Sequence, residues 1–175
     1  MSSVAPYPPT SVPLYPVAEP YPPTPHYLLV TQDDAVETLQ RLVVELSDTR
    51  IDHLQLSGIT DPSALQQALS ERLAHACVGL RLVLEGDEAF VWSLHALARK
   101  AGMQPDEIRI VRRPDGCRQV FCVHCANCQA TRLAGPIACA HCGVVLEVRQ
   151  HFSRRLGAYL GVCADPDQPR REPRP

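Results

Sequence analysis

The sequence predicts an α/β protein: a small parallel-sheet domain with helices on its faces, followed by a C-terminal four-cysteine ribbon. Three observations carry this reading. Residues 27–116 alternate short apolar runs with stretches at helical spacing, the pattern of a parallel sheet covered by helices. Cys122-Val123-His124-Cys125 and Cys139-Ala140-His141-Cys142-Gly143 form two Cys-x-x-Cys pairs thirteen residues apart. Apolar residues make up 45% of the 175-residue chain, enough for one ordinary domain plus a small module.

Residues 1–26 read as a proline-rich extended arm. Nine of the seventeen prolines fall there, and Pro6-Tyr7-Pro8-Pro9-Thr10 returns as Pro20-Tyr21-Pro22-Pro23-Thr24. Such a chain sustains neither helix nor inner strand, and its natural form is polyproline II at about 3 Å per residue. A disordered tail is one reading. Tyr7, Leu14, Tyr15 and Tyr21 are anchors that a pure spacer does not need, so the arm is also a candidate to wrap a partner subunit.

The α/β domain spans 27–116. Residues 27–31 read as a buried strand, and Asp33 or Asp34 can cap a helix whose apolar positions are Val36, Leu39, Val43 and Leu46. Residues 51–56 form a second strand ending at Gly58. Asp61-Pro62 then opens a helix with the stripe Leu65, Leu69 and Leu73. Residues 80–84 are a third strand. Glu85-Gly86-Asp87 turns into a helix reaching about Ala101, packed through Phe90, Trp92, Leu94, Leu97 and Ala98. Gly102 stops that helix, and 108–111 is the fourth strand. The first strand-to-helix turn, Thr31-Gln32-Asp33-Asp34, has no glycine and two acids, which argues against a pyrophosphate there.

Residues 117–150 are the ribbon. Two thiolates three positions apart on a tight turn can face one ion, and two such turns supply a tetrahedron of sulfurs that suits Zn²⁺. Cys122, Cys125, Cys139 and Cys142 are the expected ligands of a structural zinc, with the shell closed to water. Cys128 makes an overlapping pair with Cys125. Because Cys-x-His-Cys-small recurs in the second half, Cys128 is expected to be a spare buried thiol. His124 and His141 lie between ligands and are expected to point outward. The same four sulfurs could hold iron in a rubredoxin-like electron carrier.

Charge is distributed unevenly. Residues 1–116 carry nine basic and fifteen acidic side chains, whereas 117–175 carry eight arginines and four acids. Residues 151–175 are expected to be an Arg-rich docking segment and a charged, proline-rich tail. Arg149, His151, Arg154 and Arg155 are its candidate docking residues, for an acidic protein surface or a nucleic acid; a solvated basic face is the default reading of such a run, and His151 could carry a proton or only cap the ribbon. Lysine is almost absent (Lys100 alone), which weighs against nucleic acid. No Ser-His-Asp or Cys-His pairing can be argued. Cys77, Cys117 and Cys163 read as small buried residues, and His26, His53, His75 and His95 as structural ones, so no catalytic residue is assigned. There is no run of eighteen apolar residues and no secretory signal, and the paired cysteines fit a reducing cytoplasm.

Two resemblances follow from these residues. Leu84-Glu85-Gly86-Asp87-Glu88-Ala89-Phe90-Val91-Trp92, then Ala101-Gly102-Met103 and Ile108-Arg109-Ile110, resemble the last strand–helix–strand of ferredoxin-reductase-type nucleotide domains. Here Glu85 stands for that family's cysteine and Asp87 for its proline, which implies a degenerate, non-binding relative. The four-cysteine ribbon followed by His151-Phe152-Ser153-Arg154-Arg155-Leu156-Gly157-Ala158-Tyr159 resembles the small subunit of bacterial dimethylamine monooxygenase. That resemblance implies an accessory subunit of a complex that demethylates dimethylamine to methylamine and formaldehyde with NADPH and O₂. It places haem, FMN and iron–sulfur centres on a haem-bearing subunit and a flavin/iron–sulfur reductase subunit. The zinc ribbon would hold the Arg-rich segment against the haem-bearing partner.

Overall fold

The structure, a computed structural model, describes residues 11–15, 20–46, 48–56 and 62–167. The chain divides into two compact units, Tyr15–Cys117 and Met1–Leu14 with Arg118–Pro175.

The first unit is an α/β sheet. Strand β1 (His26–Thr31) leads to α1 (Val36–Glu45), β2 (Arg50–Gln55), α2 (Pro62–Ala74), β3 (Leu80–Gly86), α3 (Glu88–Lys100) and β4 (Ile108–Arg112), with a 3₁₀ turn at Pro105–Glu107 before β4. The four strands are parallel in the order β2-β1-β3-β4, and Leu29 sits opposite both His53 and Val83. Central strands of a parallel sheet are covered on both faces, so they read as continuous apolar runs. Tyr27 to Val30 in β1 and Leu82 to Leu84 in β3 meet that demand and are fully buried. The expected stripe Leu65, Leu69 and Leu73 on α2 is buried, as are Trp92, Leu94 and Ala98 on α3. Phe90 and Leu97 are half-buried. Asp87 caps α3 by accepting from the Phe90 N–H at 2.8 Å. Gly102 ends the helix turn with φ +103°, a conformation that favours glycine.

Helix α1 departs from expectation. Its N-cap is Ala35, which makes no side-chain bond. Asp33 instead pairs with Arg113 at 2.9 Å, and Asp34 accepts from Gln55 at 2.5 Å. Ala35, Thr38, Leu42 and Leu46 are the residues buried against the sheet, while Val36 and Val43 face solvent. The apolar stripe is therefore rotated from the expected one. Gly58 and Asp61, expected to bound β2 and α2, lie outside the described residues.

The second unit is a five-stranded sheet: β5 (Arg118–Cys122), β6 (Cys128–Thr131), β7 (Ile137–Ala138), β8 (Val145–Ser153) and β9 (Ala158–Cys163), in the order β6-β5-β9-β8-β7. β5 and β9 run parallel and the other neighbours antiparallel. The expected division at residue 150 falls inside β8, and the His151-to-Tyr159 run closes the sheet through β9. Between Val148 and Phe152 the register shifts by a bulge that leaves Arg149, Gln150 and His151 all exposed. Phe152 and Tyr159 then pair edge to face at 5.0 Å, and Arg118 lies 5.4 Å over the Tyr159 ring. Among the described residues no helix is long and apolar enough to cross a membrane.

Candidate metal centre

The two knuckles repeat one another atom for atom in their backbone bonding. In the first, the Cys122 N–H donates to Asn127 O at 2.9 Å and the Ala126 N–H to Cys122 O at 2.8 Å. In the second, the Cys139 N–H donates to Val144 O and the Gly143 N–H to Cys139 O, both at 2.8 Å. Each turn thus needs a left-handed residue one position after its second cysteine. Gly143 supplies it at φ +72° without cost, and Ala126 at φ 59° with strain.

This bonding aims four sulfurs at one point. Cys122 Sγ lies 3.8 Å from Cys142 Sγ, and Cys125 Sγ 3.7 Å from Cys139 Sγ. All four fall within 4.8 Å of one another. A tetrahedral ion with metal–sulfur bonds of about 2.3 Å separates its sulfurs by about 3.8 Å. The donor set therefore fits a divalent ion of zinc's size. Cys122 and Cys139 are buried in the module's core with Val120, Ile137, Val144 and Leu146, while Cys125 and Cys142 sit at its rim.

The chemistry of the thiols follows their surroundings. Burial pushes the Cys122 thiol up to about 12. At Cys125 the Asn127 side chain, whose Nδ2 lies 3.5 Å from Sγ, leads the interactions that draw the thiol down to about 6. Before a metal binds, one ligand is readily ionised and a buried one resists. A cation that neutralises the cluster resolves the conflict.

Two contributors were not foreseen in the sequence. Asn127 is one. Gln129, on β6, is the other: its Nε2 donates to Ala138 O at 3.0 Å and its Oε1 accepts from the Ala140 N–H at 2.6 Å. One side chain thus ties the first hairpin to the second knuckle. Neither residue belongs to a metal motif, and only the fold shows that they meet the cysteine turns.

The remaining expected residues divide. Cys128 lies outside the cluster, as expected, but it is exposed rather than buried, because β6 is an edge strand. Cys77 is likewise exposed, and Cys117 and Cys163 are only partly buried, so the expectation of small buried thiols fails for all three. His124 and His141 are exposed. Arg149 pairs with Glu147 at 3.1 Å on the outer face of β8, and Arg154 and Arg155 lie exposed in the turn before β9. Tyr7 is outside the described residues. Tyr15 and Tyr21 were expected to reach a partner, yet both serve the chain's own α/β unit. Tyr21 is buried against Tyr27, edge to face at 5.9 Å, with Arg109 over its ring at 4.2 Å. The Tyr15 hydroxyl accepts from Trp92 Nε1 at 2.7 Å and donates to Glu88 at 2.5 Å. Rings with apolar neighbours this near bury themselves before they can meet another subunit.

In a parallel α/β sheet a nucleotide is expected in the crevice at the ends of β1 and β3, where the strand order reverses. The chain fills it. Gln32 Oε1 accepts from the Asp87 N–H at 2.7 Å, and Asp87 Oδ2 accepts from the Cys117 N–H at 3.1 Å. Gly116 packs so tightly that a Cβ there would lie 2.2 Å from Asp87 Cβ. A carboxylate and a peptide segment occupy the helix start that a phosphate would need.

Fold and site together define a protein with a parallel α/β unit and a two-knuckle, four-cysteine module able to hold a metal ion. Residues 119–162 match the family model described as dimethylamine monooxygenase subunit DmmA-like, C-terminal domain. Over 169 residues the chain is 55% identical to the heme-dependent oxidative N-demethylase delta subunit of Ectopseudomonas mendocina (strain ymp), covering 97% of each chain. The chain belongs to this family of dimethylamine monooxygenase small subunits. No solved structure matches it.

Proposed function

We propose that this chain is the accessory, zinc-binding subunit of a multicomponent N-demethylase that converts dimethylamine to methylamine and formaldehyde with NADPH and O₂. The observation that carries the reading is its 55% identity, over nearly the full length of both chains, to a delta subunit of a heme-dependent oxidative N-demethylase. The haem, FMN and iron–sulfur chemistry belongs to a haem-bearing subunit and a reductase subunit. This chain's part is structural. Four cysteine ligands leave no open position for water, so an ion held there organises the module and performs no reaction. The exposed Arg149, His151, Arg154 and Arg155 are fixed at one end of the β8–β9 hairpin, where planar guanidinium groups suit an acidic surface on the haem-bearing subunit. Zinc is the assigned metal.

Purification of the complex from cells expressing all subunits tests the assignment. The account predicts that this chain co-elutes with the haem-bearing subunit, and that Arg154→Glu/Arg155→Glu weakens that association. Recovery of the chain as a lone monomer contradicts it. A second reading follows from the sulfur geometry, which iron also satisfies in a rubredoxin-like carrier. A coloured protein with thiolate-to-iron absorption selects that reading, and a colourless one with zinc excludes it.

A further inference from the structure

Helix α1 carries apolar side chains on two faces. Ala35, Thr38, Leu42 and Leu46 are buried, yet Val36, Val43 and Val44 are 60%, 56% and 81% exposed. At about 100° per residue, Val36 and Val43 lie within roughly 20° of each other and Val44 about 80° round from Val36, so the three valines share one outer face, together with the exposed Gln40 and Glu37. Valine is a weak helix former, and helical positions that packing does not constrain normally carry straight-chain or charged residues. A helix that is apolar on opposite sides is one that is covered on opposite sides. Among the described residues the sheet covers the first, and Val36, Val43 and Val44 remain exposed.

That face ends at a cleft. Val36 also lines a space of about 360 Å³ together with the carboxylates Asp34, Glu37 and Glu85 and the cations Arg41 and Arg113. Glu85 Oε2 and Arg113 Nε are buried there without a hydrogen-bond partner. Arg113 already pairs with Asp33 through Nη1, and Arg41 with Glu45 at 3.4 Å. The carboxylates of Glu37 and Glu85 therefore exceed the cations left to meet them. A buried carboxylate oxygen without a partner is costly, and an inserted ammonium or guanidinium removes that cost.

We propose that the outer face of α1 and this cleft form one docking surface for another subunit of the N-demethylase. That subunit lays an apolar patch over Val36, Val43 and Val44 and inserts a lysine or arginine beside Glu85. The proposal rests on the accessory-subunit reading and adds a second contact, distinct in residues and sign of charge from the arginine turn before β9. The acidic excess of residues 1–116 favours a basic rim on the occupant, as the arginines of the other unit favour an acidic one.

The test uses the full chain co-expressed with its partner subunits. Val43→Glu/Val44→Glu changes two solvent-facing residues, and an unchanged melting curve and metal content establish that the fold is intact. Binding is expected to weaken by about 100-fold or more in that variant and about tenfold in Glu85→Gln. Val78→Glu, at a fully exposed valine in the turn before β3, is expected to bind as the wild type does. Amide exchange should slow across α1 when the partner is bound. Wild-type affinity in both Val43→Glu/Val44→Glu and Glu85→Gln overturns the proposal while leaving the subunit reading in place. A wild-type chain that self-associates, and that Val43→Glu/Val44→Glu renders monomeric, also overturns it, because a second copy then covers the face. A wild-type chain that captures no partner subunit sinks the subunit reading and this proposal together.

Discussion

In the α/β unit, β1 and β3 bury Leu28, Leu29, Val30, Leu82, Val83 and Leu84 almost completely, and helices close both faces over them. In the metal module the core is Val120, Ile137, Val144 and Leu146 with two cysteines, Cys122 and Cys139, as full members. At about 1.5–3 kcal/mol per fully buried aliphatic side chain, the first unit has an apolar core of ordinary strength. The second has few such side chains, and two of its buried groups are thiols that reach their intended state only beside a cation. One unit is organised by apolar burial; the other, on the proposed reading, by burial together with an ion held by its four clustered cysteines. Each should therefore respond to a different insult.

The largest effect separating them is loss of the ligands. Cys122→Ser/Cys139→Ser should abolish stoichiometric metal binding and remove amide-exchange protection from β5 and β9, while β1 and β3 keep theirs. Structural zinc sites contribute apparent binding energies of about 10–16 kcal/mol at neutral pH, most of it realised as folding. A strong chelator should have the same local effect. Next comes the converse: Leu82→Ala, at a fully buried position in β3, should cost about 2–5 kcal/mol in the α/β unit's unfolding and leave metal content unchanged.

Acidification sharpens the comparison further. Without metal the Cys122 thiol keeps its proton up to about pH 12, whereas a metal-bound ligand is a thiolate. Binding at neutral pH must therefore release that proton, so apparent affinity rises with pH and falls as the medium is acidified. Cys142, whose thiol is also raised, releases a proton at neutral pH as well, whereas Cys125, drawn down to about 6, adds one only as the medium is acidified past that value. Calorimetric titration in buffers of different ionisation enthalpy counts the protons. The smallest effects lie in single bonds. Tyr15→Phe removes a hydroxyl that joins Trp92 and Glu88 and should cost about 1 kcal/mol, with a change in Trp92 fluorescence. Ala126→Gly should stabilise the first knuckle, and Gly143→Ala destabilise the second, by about 1 kcal/mol each, since a Cβ at Gly143 meets nothing within 4 Å.

How much of this was legible in the sequence differs between the units for a physical reason. The four strands and three helices of the α/β unit were readable because apolar periodicity reports burial directly. The rotated face of α1 was not: Val36, Leu39, Val43 and Leu46 have the right spacing, but a second apolar stripe on the same helix makes the period ambiguous. That four cysteines would come together was readable from Cys-x-x-Cys spacing, which is chemistry written in local sequence. Asn127 and Gln129 were not, because their roles exist only once hairpin and knuckle are brought together. The same holds for β9, whose pairing with β5 spans some forty residues and turns an expected tail into part of the sheet. The arm misled in the opposite direction. Its tyrosines look like anchors for another protein, and Tyr15 and Tyr21 are anchors, but for this chain.

The central claim is that four thiolates hold one closed-shell ion that shapes the second unit. Metal analysis of the purified chain, with an absorption spectrum on the same sample, tests it most directly. The account predicts about one zinc per chain and no visible band, with the metal lost in Cys122→Ser/Cys139→Ser. A metal-free protein whose β5–β9 amides are nonetheless fully protected, or a coloured one loaded with iron, contradicts it.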